Sequence, residues 1–211
     1  MKDSFWHQKW QDNEIPFHER QANILLQENF KKLALAKGSR VFLPLCGKTR
    51  DISWLMEQGM SVVGAELSEL AINALFKDLG LQPIISQQGD LKHYQAKSIE
   101  MYVGDIFTLS KNMLGTIHAV YDRAALVALP DTMRNQYSAH LINITSAAPQ
   151  LLITFEYDQS IMPGPPFSIS AVEVKHHYEG CYKLNCLEEK EVEGGLKGKV
   201  SATENAWLLN H

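Results

Sequence analysis

The chain has 211 residues, 45% of them hydrophobic, enough to bury one substantial core, and a single domain over 1–211 is the simplest expectation. Twenty basic against twenty-four acidic residues give a net charge of −4, which speaks against a nucleic-acid partner, and no apolar run approaches the length of a membrane span. The charged start MKDSFWHQKWQDNE lacks the apolar core of a secretory signal, and three sparse cysteines without CxxC spacing fit a reducing cytoplasm and suggest no metal site.

The first segment is aromatic, with Phe5, Trp6, Trp10 and Phe17. Trp6 and Trp10 are four apart and share a face on a helix. Asn13 to Pro16 should break that helix, because proline biases the residue before it away from helical geometry. A second helix is expected from about Glu19 to Ala36, carrying Ile24, Leu25, Phe30 and Leu33 and stopped by Gly38. The tryptophans of this 1–36 arm either pack it onto the body of the protein or turn an aromatic face to a ligand beneath a lid. The segment itself leaves both readings open.

Arg40 to Ser68 organises the rest. Val41-Phe42-Leu43 reads as a parallel strand buried on both faces, ended by Pro44, with Leu45-Cys46-Gly47 as the turn. Ile52, Leu55 and Met56 recur at helical spacing up to Gly59, and Val62 to Ala65 form the next strand, with Glu66 at its carboxyl end. In nucleotide-binding doubly wound sheets a carboxylate about 20 residues beyond the glycine turn accepts hydrogen bonds from ribose hydroxyls. Glu66 lies nineteen positions after Gly47. A pyrophosphate cradle needs several glycines, and this turn has one, so a nucleoside fits it better than NAD or FAD. An ordinary turn followed by an exposed glutamate is the competing reading.

Ser68 caps a further expected helix that ends at Gly80. Residues 82–98 are polar and read as an irregular insertion on the sheet surface, with short strands around Ile84-Ile85. Met101 to Val103 is the third strand, and Asp105 after it points a second carboxylate at the crevice outside the strand ends, unless it serves only the turn. Ile117 to Tyr121 is the fourth strand, left through Asp122-Arg123, and a helix runs from Pro130 to about Ser146. Leu151 to Phe155 is the fifth strand. Met162-Pro163-Gly164-Pro165-Pro166-Phe167 makes a stiff loop, and a helix follows from Ser168 to Tyr178. Two final strands, near 182–192 and 199–209, form an antiparallel hairpin around Gly194-Gly195.

LPLCGKTRDISWL, VVGAELSELAI, YDRAALVAL and PGPPF, together with FWHQKW and FH near the start, closely resemble the thiopurine S-methyltransferase family across essentially the whole chain. The likeness is to its bacterial members, associated with selenium and tellurium methylation and tellurite resistance. That resemblance implies an α/β, Rossmann-like class I S-adenosylmethionine (SAM)-dependent methyltransferase, with a seven-stranded, mostly parallel sheet and an antiparallel last strand. It implies cofactor contacts at Trp10, Leu45, Glu66 and Arg123, with Asp105 and Ile106 at the adenine edge and Phe17 touching the substrate. A cation–π contact from Trp6 or Trp10 to the sulfonium would contribute ~0.5–2 kcal/mol.

The reaction implied is attack of a soft thiolate or chalcogen anion on the methyl carbon, releasing S-adenosylhomocysteine. Positioning then contributes at most roughly 7–11 kcal/mol. Arg123 becomes the candidate catalytic residue, biasing the acceptor toward its thiolate. Mammalian members carry a late arginine where this chain has Glu193-Gly194-Gly195-Leu196-Lys197, so Lys197 and Lys199 are the cations available there. The expected partner is a small thiol or chalcogen substrate bound by a monomer. Three readings stay open beside it: a SAM methyltransferase for another small molecule, an NAD-linked oxidoreductase, and a non-catalytic SAM- or chalcogen-binding protein.

Overall fold

The computed structural model describes residues 3–12, 14–15 and 18–211. The helix expected around the tryptophan pair is α1 (Asp3–Gln11). Asn13 and Pro16, which were expected to break it, lie outside the described residues. The long second helix is not formed. The Asn23 side chain accepts hydrogen bonds from the Leu25 and Leu26 N–H groups at 3.0 and 3.2 Å, so α2 (Ile24–Asn29) starts only there. It tightens into a 3-10 turn at Phe30–Leu33 and stops at Ala34, whose φ is 49°.

Strand β1 (Arg40–Pro44) leads into α3 (Asp51–Glu57), β2 (Ser61–Glu66) and α4 (Glu69–Asp78), the last capped by Ser68. Then come β3 (Ile84–Gln88), β4 (Leu91–Ala96), β5 (Ile99–Val103) and the short α5 (Lys111–Leu114). The second half comprises β6 (Ala119–Arg123), α6 (Asp131–Thr145), β7 (Gln150–Tyr157), α7 (Ala171–Tyr178), β8 (Lys183–Glu191) and β9 (Ala202–Asn210).

These strands form one nine-stranded sheet in the order β3-β4-β5-β2-β1-β6-β7-β9-β8. The pairs among β5, β2, β1, β6 and β7 are parallel, whereas β9 runs antiparallel to both its neighbours. The expected seven strands are therefore present from β5 to β8, with the last strand reversed. The stretch read as an irregular insertion is instead a β3–β4 hairpin that adds two antiparallel strands to the β5 edge. Its polarity hid it: β3 is exposed on nearly every residue, and β4 buries only Leu91, His93 and Tyr94.

The parallel strands are covered on both faces, which is why they read as continuous apolar runs. Phe42, Val63, Val120 and Leu152 pack with Tyr137 and Leu141 of α6 and Val174 of α7 on one side. Val41, Val62, Tyr121 and Leu151 pack with Leu25, Ile52 and Ile72 of α2, α3 and α4 on the other. The carboxyl ends of β1, β2, β5 and β6 are left to form a crevice. Among the described residues no helix is long and apolar enough to cross a membrane.

Candidate active site

A cleft of about 1350 Å³ opens along these strand ends. That exceeds the roughly 300–1,000 Å³ of a pocket for one drug-sized ligand and leaves room for two small molecules side by side. Trp10, Leu45, Glu66, Asp105, Ile106 and Arg123 all line it. Phe17, expected to touch a substrate, lies outside the described residues, although His18 beside it is in the wall.

The β1 turn is strained in a telling way. Leu45 sits at φ 46° and Gly47 at φ 53°. For a leucine the left-handed region costs roughly 1–2 kcal/mol, and such residues gather at ligand sites. A Cβ on Gly47 would stand 2.9 Å from the Trp10 ring, so α1 lies directly over the turn and needs glycine there.

Glu66 is buried and ties this turn to the end of β2. One carboxylate oxygen accepts from the Gly47 N–H and the other from the Ser68 N–H, both at 2.8 Å. Each oxygen keeps a second lone pair, so the carboxylate can still take two hydroxyls. Burial pushes its pKa above the usual carboxylate range, while the N–H groups of Ser68, Gly47 and Leu67 oppose that rise. The exposed-glutamate reading fails.

At the end of β5, Asp105 is exposed and accepts the Phe107 N–H at 2.9 Å, so it does serve the turn as well as facing the cleft. Ile106 is buried beside it and supplies an apolar wall. The end of β6 separates its two charged residues by strand alternation. Asp122 is fully buried, accepting the Tyr137 hydroxyl at 2.7 Å and the Leu126 N–H at 3.2 Å. Burial pushes its pKa up to about 6. Arg123 points the other way, into the cleft, and Ala124 after it has φ 64°.

Arg123 forms an ion pair with Glu19 of the arm. Burial works against its charge, but Tyr121, Glu19, Asp51 and Glu204 outweigh that and raise its pKa, so it stays cationic. The proline loop lines the cleft with Gly164, Pro165 and Pro166. Phe167 turns back against Gly164, where a Cβ would approach its ring to 2.6 Å, and lies under the Arg134 guanidinium at 5.7 Å. Lys197 lines the cleft and donates to the Pro165 carbonyl at 2.8 Å. Burial, with Lys199 and Lys9 nearby, lowers its pKa.

Glu19 and Glu204 are among the cleft residues that escaped the sequence reading. Attention to the carboxyl ends of parallel strands missed Glu204 because β9 is reversed, which brings the start of that strand to the same edge. The signal available was the antiparallel hairpin itself.

Comparison with known proteins gives the family and the fold. The family model described as thiopurine S-methyltransferase (TPMT) matches residues 1–209. A thiopurine S-methyltransferase of Teredinibacter turnerae is 52% identical over 210 residues, covering 100% of this chain and 98% of that protein. One of Xanthobacter autotrophicus is 48% identical over 210 residues, covering 99% of each. Among solved structures, a SAM-dependent methyltransferase from Anabaena variabilis superposes with a TM-score of 0.64 at 12% identity, over 99% of this chain and 95% of that one. Burkholderia thailandensis 1,6-didemethyltoxoflavin-N1-methyltransferase, with bound 1,6-didemethyltoxoflavin and S-adenosylhomocysteine, gives 0.66 at 14% identity, over 99% and 87%. Those two likenesses establish the class I SAM-dependent methyltransferase fold, and the full-length match at 52% identity carries the finer conclusion: the chain belongs to the thiopurine S-methyltransferase family.

Proposed function

We propose that this chain transfers the methyl group of S-adenosylmethionine to the sulfur of aromatic and heterocyclic thiols, thiopurines among them. The observation that carries the cofactor half is Glu66, a buried carboxylate with one lone pair spare on each oxygen, beside a turn with a single glycine. When bound, S-adenosylmethionine supplies an electrophilic methyl on a sulfonium sulfur, and S-adenosylhomocysteine is what remains after transfer.

The residues of the cleft fit that group. Glu66 holds ribose hydroxyls. Asp105 and Ile106 would hold the adenine, and the Leu45 turn the methionyl portion. Trp10 covers the turn from α1, so the 1–36 arm acts through α1 as a lid that keeps water from the cationic centre, with Leu25 and Leu26 holding the rest of the arm in the core. The remaining volume, walled by Met133, Phe155, Pro165 and Pro166, suits a flat apolar acceptor. Arg123 stands between the two halves, where it anchors the lid through Glu19 and faces the acceptor. Selenium and tellurium compounds share the softness of a sulfur acceptor and enter the same half.

Three unpaired cysteines support a reducing cytoplasm. Calorimetric titration separates the cofactor readings. Saturable binding of S-adenosylmethionine and S-adenosylhomocysteine with no binding of NAD is the expected result. Binding of NAD in preference would overturn it.

A further inference from the structure

The charges of three carboxylates act on the Arg123 guanidinium: Glu19, Asp51 and Glu204. Two of them are spent. Glu19 is paired with Arg123. Asp51 is buried and accepts the Asn23 backbone N–H at 2.7 Å and the Tyr121 hydroxyl at 3.1 Å. Glu204 differs. One of its oxygens accepts the Asn23 side-chain amide at 3.3 Å, and the other takes no hydrogen bond among the described residues. It lines the cleft, largely buried, one strand over from Phe155 of the acceptor wall.

We propose that Glu204 is the general base of the reaction, taking the proton of the acceptor thiol, so that the acceptor enters neutral rather than as a thiolate. This rests on the methyl-transfer reading above. The charges favour it. Counting Arg123 as +1 and Glu19, Asp51 and Glu204 as −1 each, the cluster carries −2, which repels a thiolate arriving from water and admits a thiol. Once bound, the S–H bond breaks, its proton goes to the free Glu204 oxygen, and the electron pair stays on sulfur. The sulfur then bonds to the methyl carbon as the old carbon–sulfonium bond breaks. The total charge of the site is unchanged by the proton transfer. After product leaves, the carboxylic acid returns its proton to solvent.

The groups facing Glu204 from each neighbouring element are consistent with this. Lys190, opposite it on β8, is engaged with Glu28 at 3.7 Å. Burial raises the Glu204 pKa and Arg123 lowers it, while Glu19 and Asp51 push it up again. The net rise moves the carboxylate toward a thiol's range and makes it a stronger base than a surface glutamate.

The test compares pH profiles of kcat/KM for wild type and Glu204→Gln with two thiols, one of pKa near 8.5 and one acidic enough to be ionised at pH 7. Glutamine keeps an oxygen for the Asn23 amide, and S-adenosylmethionine affinity is expected to be unchanged, which reports a folded site. For the weakly acidic thiol the variant should lose on the order of 10²–10⁴-fold at pH 7 and recover as pH rises past the thiol's own pKa. The acidic thiol should lose only a few-fold, and the acid limb set by Glu204 should give way to one at the thiol's own pKa. Glu204→Asp should keep the acid limb with reduced kcat. Equal losses for both thiols, or an acid limb left at its wild-type position in Glu204→Gln, would overturn the assignment. Absence of methyl transfer by wild type to either thiol would instead remove the underlying function.

Discussion

Because Glu66 accepts a backbone hydrogen bond on each oxygen, a substitution there acts on the turn and on the ligand together. Glu66→Ala is expected to weaken S-adenosylmethionine binding by roughly 1.5–3 kcal/mol, the worth of a charge-assisted hydrogen bond, as read by calorimetry. Glu66→Gln aims an amide NH₂ at either the Gly47 or the Ser68 N–H, so it should also lower the denaturation midpoint. Unchanged affinity in both variants would remove Glu66 from the site. Asp122 makes a separate prediction about stability. Its pKa rises from 3.8 to about 6 in the folded protein, so the folded state holds that proton to higher pH than the unfolded chain does. The associated stability is present below about pH 4 and is lost as pH climbs through about 6. Asp122→Asn keeps a neutral side chain throughout, so relative to wild type it should gain roughly 3 kcal/mol between pH 4 and pH 7 in denaturant titrations. A constant difference across that range would contradict the assignment. Glu66 was legible in the sequence because strand, turn and spacing all lie within one local unit. The opposed directions of Asp122 and Arg123 were not, since they depend on which face of β6 meets α6.

At the level of elements, the arm joins the rest through polar groups as well as apolar contact. Glu19 meets Arg123, the Asn23 backbone meets Asp51, and the Asn23 amide meets Glu204. Residues before Phe17 contribute none of these anchors, and the two core clusters draw no residue from α1. Deleting them should leave a cooperatively folded protein with weakened S-adenosylmethionine binding, and adding the cofactor to the intact chain should quench tryptophan fluorescence. Normal affinity in the truncated form would reduce α1 to packing. Gly47→Ala tests the same contact from below. It places a methyl group against the Trp10 ring in an unfavourable φ region, and should weaken cofactor binding far more than Gly80→Ala, where a Cβ meets nothing within 4 Å. The buried strands of the parallel core were readable as apolar runs. The β3–β4 hairpin was not, because an exposed edge strand such as IISQQ carries no burial pattern to distinguish it from a loop. The second helix was overextended for a different reason: Asn23 caps it, a competition that helical periodicity alone does not register.

For the whole molecule, the reversal of β9 is what completes the site. Parallel strands bring Glu66, Asp105 and Arg123 to one edge by their carboxyl ends, and the antiparallel strand brings Glu204 there by its beginning. The seven-strand core follows from the family resemblance, whereas the assembly of a carboxylate cluster from the arm, α3, β6 and β9 is a property of the folded chain that no local stretch encodes. The central claim is turnover of a methyl group, rather than storage of a cofactor. Its most direct measurement is incubation of the purified protein with methyl-labelled S-adenosylmethionine and a panel of thiols that includes a thiopurine, scoring label and S-adenosylhomocysteine together. Label on the acceptor sulfur and one S-adenosylhomocysteine per methyl transferred, over many turnovers, are the expected result. Saturable binding of S-adenosylmethionine with no labelled thiol and no S-adenosylhomocysteine would contradict it.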